Sequence, residues 1–121
     1  MTNNPILTKA DLAQFTGTEH WYRHTLNRSI LYTDGVQYMA ETGGAYWLVD
    51  TIALMQLEKH IAAQDFQLWI LSVLPDRSAL LVCQDGNDNT VHKKVIVFTD
   101  FPLDEIKLYV TGGVILLPSE Y

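Results

Sequence analysis

The stretch from Leu31 to Asp50, LYTDGVQYMAETGGAYWLVD, limits what this chain can become more than any other part of it. Asp34-Gly35 stands between two β-favouring runs, Ser29 to Thr33 and Val36 to Glu41, and Asp-Gly in that position signals a tight hairpin. Ile30, Tyr32, Val36, Tyr38 and Met39 supply the apolar and aromatic side chains of a half-buried strand pair. Gly43-Gly44 then stops the second strand, and Ala45-Tyr46-Trp47-Leu48-Val49 opens a helix expected to run from Gly44 to about Ala63. Leu48, Ile52 and Met55 fall on one line of that helix, and Leu54, Leu57 and Ile61 on another. Its first turns are apolar on nearly every side. They therefore need cover from more than one direction, from the rest of the chain or from a partner.

Elsewhere the turn signals are regular. Thr8-Lys9-Ala10-Asp11 has the spacing of a capping box, so a short N-terminal helix is expected up to Gly17. Residues 1–5 read as a frayed tail. Glu19 to Asn27 reads as irregular or briefly extended, with Trp21, Arg23 and Thr25 on one face and His20, Tyr22 and His24 on the other. Phe66 to Leu74 is almost continuously apolar, which predicts a central strand covered on both faces. Pro75 to Ser78 turns the chain, Ala79 to Gln84 returns, and Asp85 to Asn89 forms a second polar loop. Val91 to Thr99 is a further strand, with Val95-Ile96-Val97-Phe98 expected to point inward. Ile106 to Val110 and Val114 to Leu117 make a last hairpin through Thr111-Gly112-Gly113. The expectation is a single α+β domain over residues 1–121. It would be a mainly antiparallel sheet of hairpins and a meander, with one long helix packed on it and a short N-terminal helix.

At 121 residues the chain is long enough for one core and too short for two ordinary ones. A net charge of −6 opposes ordinary nucleic-acid binding, which needs a basic patch. The start of the chain lacks the features of a signal peptide, and no apolar run is long enough to span a bilayer, so no membrane role and a cytoplasmic location are expected. Cys83 is the only cysteine, which excludes an intrachain disulfide and cysteine-rich zinc sites. Within Ala79 to Gln84 it reads as a buried, inert thiol.

Few groups carry recognisable chemistry. His20 and His24 have the spacing of two metal ligands on one helical turn, with Glu19 beside them, but the HExxH motif is absent. Two hydrogen-bonded or surface histidines are the plainer reading. Asp85-x-Asn87-x-Asn89 imitates the opening of a calcium loop, yet Thr90 and Ile96 occupy the positions that need glycine and glutamate. It reads as a turn. Asp50 stands in an otherwise apolar helix, one turn beyond Tyr46 and Trp47. A carboxylate there is either an acid or base of raised pKa, or a structural group held by the helix dipole or paired with Arg23 or Arg28. No nucleophile stands beside a base, and neither Gly-Gly pair has the Lys and hydroxyl of a phosphate loop.

The phrases Tyr32-Thr33-Asp34-Gly35-Val36, Gly44-Ala45-Tyr46-Trp47-Leu48, Cys83-Gln84-Asp85-Gly86, Thr99-Asp100-Phe101-Pro102-Leu103 and Ile115-Leu116-Leu117-Pro118-Ser119-Glu120-Tyr121 together resemble a family of small bacterial proteins, a domain of unknown function, over nearly the whole chain. The resemblance implies a small single-domain bacterial protein and transfers no catalytic residue.

The sequence thus points to a non-enzymatic cytosolic interaction or accessory protein without a cofactor. It would self-associate through the hairpin and main helix, or bind another protein. The alternative is a small enzyme or ligand-binding domain with a pocket near Tyr46, Trp47 and Asp50. A third option, an acidic mimic of nucleic acid, is opposed by the scatter of the carboxylates. The candidate binding residues are Tyr46, Trp47, Asp50, His20 and His24, with none assigned to catalysis or to a metal.

Overall fold

The computed structural model describes residues 6–121, so the tail expected over residues 1–5 lies outside the described residues. The chain runs α1 (Lys9–Ala13), β1 (Trp21–Arg23), β2 (Leu31–Thr33), α2 (Asp34–Gly43), α3 (Tyr46–Met55), α4 (Lys59–Ala62), β3 (Phe66–Val73), β4 (Ala79–Asp85), β5 (Thr90–Ile96), β6 (Glu105–Thr111), β7 (Val114–Leu116) and a 3-10 helix at Pro118–Glu120. The strands form one seven-stranded sheet in the order β1-β2-β7-β6-β3-β4-β5. Every pairing is antiparallel except that of β2 with β7. The fold is α+β.

Alternation along the central strands decides which face is sealed, because successive side chains leave a strand on opposite sides. In β3, Gln67, Trp69, Leu71 and Val73 are buried, while Phe66, Leu68, Ile70 and Ser72 are only half-buried. Ala79, Leu81 and Cys83 of β4 and Ile106, Leu108 and Val110 of β6 share the buried face. Against it pack Val36, Met39 and Ala40 of α2, Leu48, Val49, Ile52 and Ala53 of α3, and Ile61 of α4, all in one hydrophobic cluster. The expectation that the third strand is covered on both faces is therefore corrected. Its continuous apolar run arises because the second face is also apolar, although α2, α3 and α4 all serve the first.

The expected hairpin around Asp34-Gly35 is a strand followed at once by a helix. Thr33 ends β2 and caps α2, its Oγ1 accepting from the Val36 N–H at 3.2 Å. Val36, Met39, Ala40 and Gly43 are buried at the i, i+3, i+4, i+7 spacing of a helical face. That burial outweighs the local turn preference of Asp-Gly. Gly44, at φ +62°, closes the helix in the left-handed region and donates to the Ala40 carbonyl.

The single long helix expected to reach Ala63 is divided. After Met55 the N–H groups of Gln56, Leu57 and Glu58 bond three residues back, to Ala53, Leu54 and Met55, which tightens and ends α3 before α4 begins. The N-terminal helix has its capping box, Thr8 and Asp11 each accepting the other's N–H, but it stops at Ala13 rather than Gly17. The last hairpin forms as expected, with Gly112 and Gly113 at φ +59° and +76°. Val95, Val97 and Phe98 do not point inward: they are 72, 87 and 68% exposed. Val95 shares the outer face with its partner Leu80, away from the helices, and Val97 and Phe98 follow the end of β5.

Candidate functional site

His24 and Asp50, from β1's end and the middle of α3, meet at 2.7 Å between Nε2 and Oδ1. The extended run Trp21–Arg23 carries Tyr22 and His24 to the helix side, where Tyr22 stacks on Tyr32 at 5.5 Å between centroids and His24 meets Tyr32 edge-on at 6.5 Å. The other ring nitrogen of His24, Nδ1, accepts from the backbone N–H of Leu26 at 3.2 Å and of Asn27 at 3.0 Å. With Nδ1 an acceptor, the ring proton sits on Nε2 and is donated to Asp50. Asn27 continues the fastening: its side-chain amide donates to the Ala53 carbonyl at 2.8 Å, and its Oδ1 accepts from Ser29 Oγ at 2.7 Å. The 24–30 loop is thereby tied to two successive turns of α3.

This corrects the partner of Asp50. The sequence offered the helix dipole, Arg23 or Arg28; instead Arg23 donates to the carbonyl of Arg28, and Asp50 takes a histidine. Both ring nitrogens of His24 are engaged, so the pair latches the 24–30 loop to α3. The Asp50 side chain remains 47% exposed, near the Tyr32 phenol. The phenol of Tyr32 holds its proton above the ordinary value of 10.0, chiefly through burial, then through the Asp50 carboxylate and Tyr22. Tyr46 is raised likewise, first by burial and then by Glu41. Trp47 is half-buried against the core, and His20 is exposed. Thus the structure joins His24 to Asp50 and leaves Trp47 to packing. A groove of about 380 Å³ lies between Ser29, Gln56, Gln67 and Gly112-Gly113, and Tyr46, Trp47 and Asp50 are not among its walls. Among the described residues no three His, Cys, Asp or Glu side chains gather as metal ligands.

A second polar cluster escaped sequence reasoning altogether. Glu120, next to the C-terminal residue Tyr121, reaches the start of α2. Its Oε1 accepts from Thr33 Oγ1 at 2.7 Å and the Leu117 N–H at 3.0 Å, and its Oε2 from Thr18 Oγ1 at 3.1 Å and the Gly35 N–H at 3.3 Å. A carboxylate at a helix N-terminus also suits the helix dipole. Gly35 is required by this approach, since a Cβ there would lie 2.6 Å from Oε1 and 2.8 Å from Leu117 Cδ1. The Thr33-Asp34-Gly35 and Pro118-Ser119-Glu120 phrases are therefore two halves of one clamp. Sequence offered only a weak trace of it, Thr33 placed three residues before Val36 as a helix cap.

The other shared phrases resolve into packing and turns. A Cβ on Gly43 would lie 2.9 Å from the Phe101 ring. Phe101 itself is buried, and Arg77 donates to the carbonyls of Thr99 at 3.1 Å and Phe101 at 2.6 Å. Cys83 is buried, and burial, with Asp85 a smaller cause, pushes its thiol up to about 12. The Asp85 carboxylate accepts the N–H groups of Asn87 and Asn89 at 2.8 and 3.0 Å, which holds it below the usual range and fills the role of a turn cap. Beneath the sheet, Gln67 and Gln56 pair reciprocally at 2.8 Å, and Trp69 Nε1 donates to Gln67 Oε1 at 2.9 Å. No buried side-chain nitrogen or oxygen among the described residues lacks a partner.

Fold and site together define a class: an α+β domain with helices on one face of a seven-stranded sheet, fastened by internal polar clamps. The chain belongs to DUF6876, a family of unknown function whose model matches residues 6–121. No curated protein and no solved structure matches it.

Proposed function

We propose that this chain is a non-enzymatic, cytoplasmic interaction domain that binds protein through the outer face of its sheet. The observation that carries this reading is the apolar character of that face. Phe66, Leu68, Ile70, Leu80, Val82, Tyr109 and Leu116 alternate with the core positions and stay half-buried. A sheet normally buries one face and gives the other polar side chains. Here cross-strand neighbours Tyr109 with Leu68, and Ile70 with Val82, form a contiguous apolar surface crossed by the Lys107–Glu105 pair at 3.9 Å. Surfaces of that kind on soluble domains mark protein contacts. The rival reading, a small enzyme or ligand-binding domain with a pocket near Tyr46, Trp47 and Asp50, has less support, because the groove between Ser29, Gln56, Gln67 and Gly112-Gly113 does not include these three residues.

The test is a photo-crosslinking amino acid at Ile70, compared with one at Asn87, in cells of the source organism. A discrete protein adduct at position 70 but not at 87 is expected. Only monomer at position 70 would end this reading.

A further inference from the structure

The outer face of the sheet is cationic at its flanks in a chain that is acidic overall. Its register sets four side chains in one row across four strands: Lys107 of β6 beside Ile70 of β3, Ile70 beside Val82 of β4, and Val82 beside Lys93 of β5. Leu68 and Leu80 stand in the rows on either side, so β3 and β4 carry an apolar strip with one lysine on each flank. Net charge is −6, yet among the described residues the outward positions of these four strands hold one carboxylate, Glu105, 3.9 Å from Lys107. At one end of the strip the rings of Phe66, Tyr109 and Tyr121 pack together, with centroids 4.9, 5.4 and 5.5 Å apart and Tyr121 74% exposed.

We infer that this strip seats an amphipathic α-helix of a partner protein, laid along β3 and β4 with acidic side chains on both of its flanks. The inference rests on the outer-face reading above and names the chemistry of the partner.

Width, length and charge select that occupant. Neighbouring strands lie ~4.8 Å apart, so Lys93 and Lys107, three spacings apart, stand about 14 Å from each other at the backbone. A helix with its side chains is ~10–12 Å across and fits between them. From Phe66 to Ser72 the strip is about 20 Å long, the length of about 13 helical residues. A helix lying there sets its apolar stripe over Leu68, Ile70, Leu80 and Val82, and its flanking positions come level with the two ammonium groups. Carboxylates at those positions complement the lysines and fix the orientation of the helix. A second sheet would spread beyond the strip and bury both lysines. Two copies of this chain, face to face, would bring four lysines against two glutamates and leave charge uncompensated in the interface. The inner face is already covered by α2, α3 and α4, and a helix on the outer one completes a layering with helices on both sides of a sheet.

Fluorescence anisotropy of the full chain with a labelled synthetic helix of about 14 residues tests this. One peptide carries leucine at the i, i+3, i+4 and i+7 spacing with glutamate on both flanks, and a second has lysine in place of every glutamate. The glutamate peptide should bind about tenfold or more tightly than the lysine peptide. Lys93→Glu together with Lys107→Glu should reverse that preference and leave the melting temperature unchanged, since both side chains are exposed. Equal affinity for the two peptides, a preference untouched by the double substitution, or no binding of either at about 1 mM would overturn the inference. Adducts at Ile70 that join two copies of this chain would overturn it as well. Adducts at Ile70 to another protein without any peptide preference would remove the helix and leave the open-face reading. Monomer alone at position 70 would remove both.

Discussion

The clamp around Glu120 and the edge at β5 lie towards opposite ends of the same sheet and treat polar groups in opposite ways. At the clamp, one carboxylate receives four donors drawn from Thr18, Thr33, Gly35 and Leu117, and the first turn of α2 is satisfied from outside the helix. At β5 the outer backbone groups have no strand to meet, and apolar side chains stand beside them. The first region is closed because every donor finds an acceptor; the second is open because its complement is not in the sheet. Stability should therefore reside in the clamp and the latch, and be nearly indifferent to the edge.

The largest effect is expected at Glu120. Glu120→Ala leaves the Thr33 hydroxyl and the Leu117 N–H without their acceptor and should cost about 3 kcal/mol in urea denaturation, given 1.5–3 for a hydrogen bond to a charged group and some compensation by water. A loss below about 1 kcal/mol would show the clamp to be ornamental. Gly35→Ala comes next, at about 2 kcal/mol through overpacking against Glu120 and Leu117. Its cost should shrink in a Glu120→Ala background, and strict additivity in that double-mutant cycle would contradict the contact.

The latch should divide unequally between its partners. His24→Ala strips the acceptor from the Leu26 and Asn27 N–H groups and should cost about 2 kcal/mol. Asp50→Asn keeps an acceptor oxygen at a half-exposed position and should cost about 0.5 kcal/mol or less. Equal costs would mean that the hydrogen bond to Asp50, not the loop anchoring, holds the 24–30 segment.

A smaller effect concerns alkaline pH. Tyr32 and Tyr46 keep their protons above 10.0, so past that value the unfolded chain releases protons that the folded chain retains. The stability they contribute is complete below pH 10 and declines as pH rises through the folded values. Tyr32→Phe should therefore lose less stability than the native chain between about pH 9 and about pH 11. An identical decline in both would remove Tyr32 from the account. The smallest effect belongs to the edge: Val97→Lys should shift the unfolding free energy by no more than about 0.5 kcal/mol, and a larger loss would mean that β5 is packed after all.

Several of these features were readable from local chemistry. Thr8 and Asp11 announce the first helix, Asp85 with Asn87 and Asn89 announces a turn, and Thr111-Gly112-Gly113 announces the last hairpin, because each partner lies within a few residues of the other. The same locality misled at Asp34-Gly35. Turn chemistry there competes with the buried spacing of Val36, Met39, Ala40 and Gly43, and the face to which that helix packs is built from strands far along the chain. Within the candidate site, Asp50 stood out because a carboxylate in an apolar helix needs a partner. Histidine could not be chosen over arginine without the loop that carries Asn27 onto α3.

By itself the sequence determined the class of fold, the acidic balance, the strand and turn pattern after Asp65, and an isolated, inert cysteine. These follow from composition and from interactions spanning a few residues. The tertiary structure alone decided that Glu120 meets Thr33 and Gly35, that His24 latches Asp50, that the third strand is sealed on one face only, and that Val95 to Phe98 face outward. Each depends on which distant segment supplies an acceptor, a covering side chain or a neighbouring strand, and periodicity along a chain carries no record of that choice.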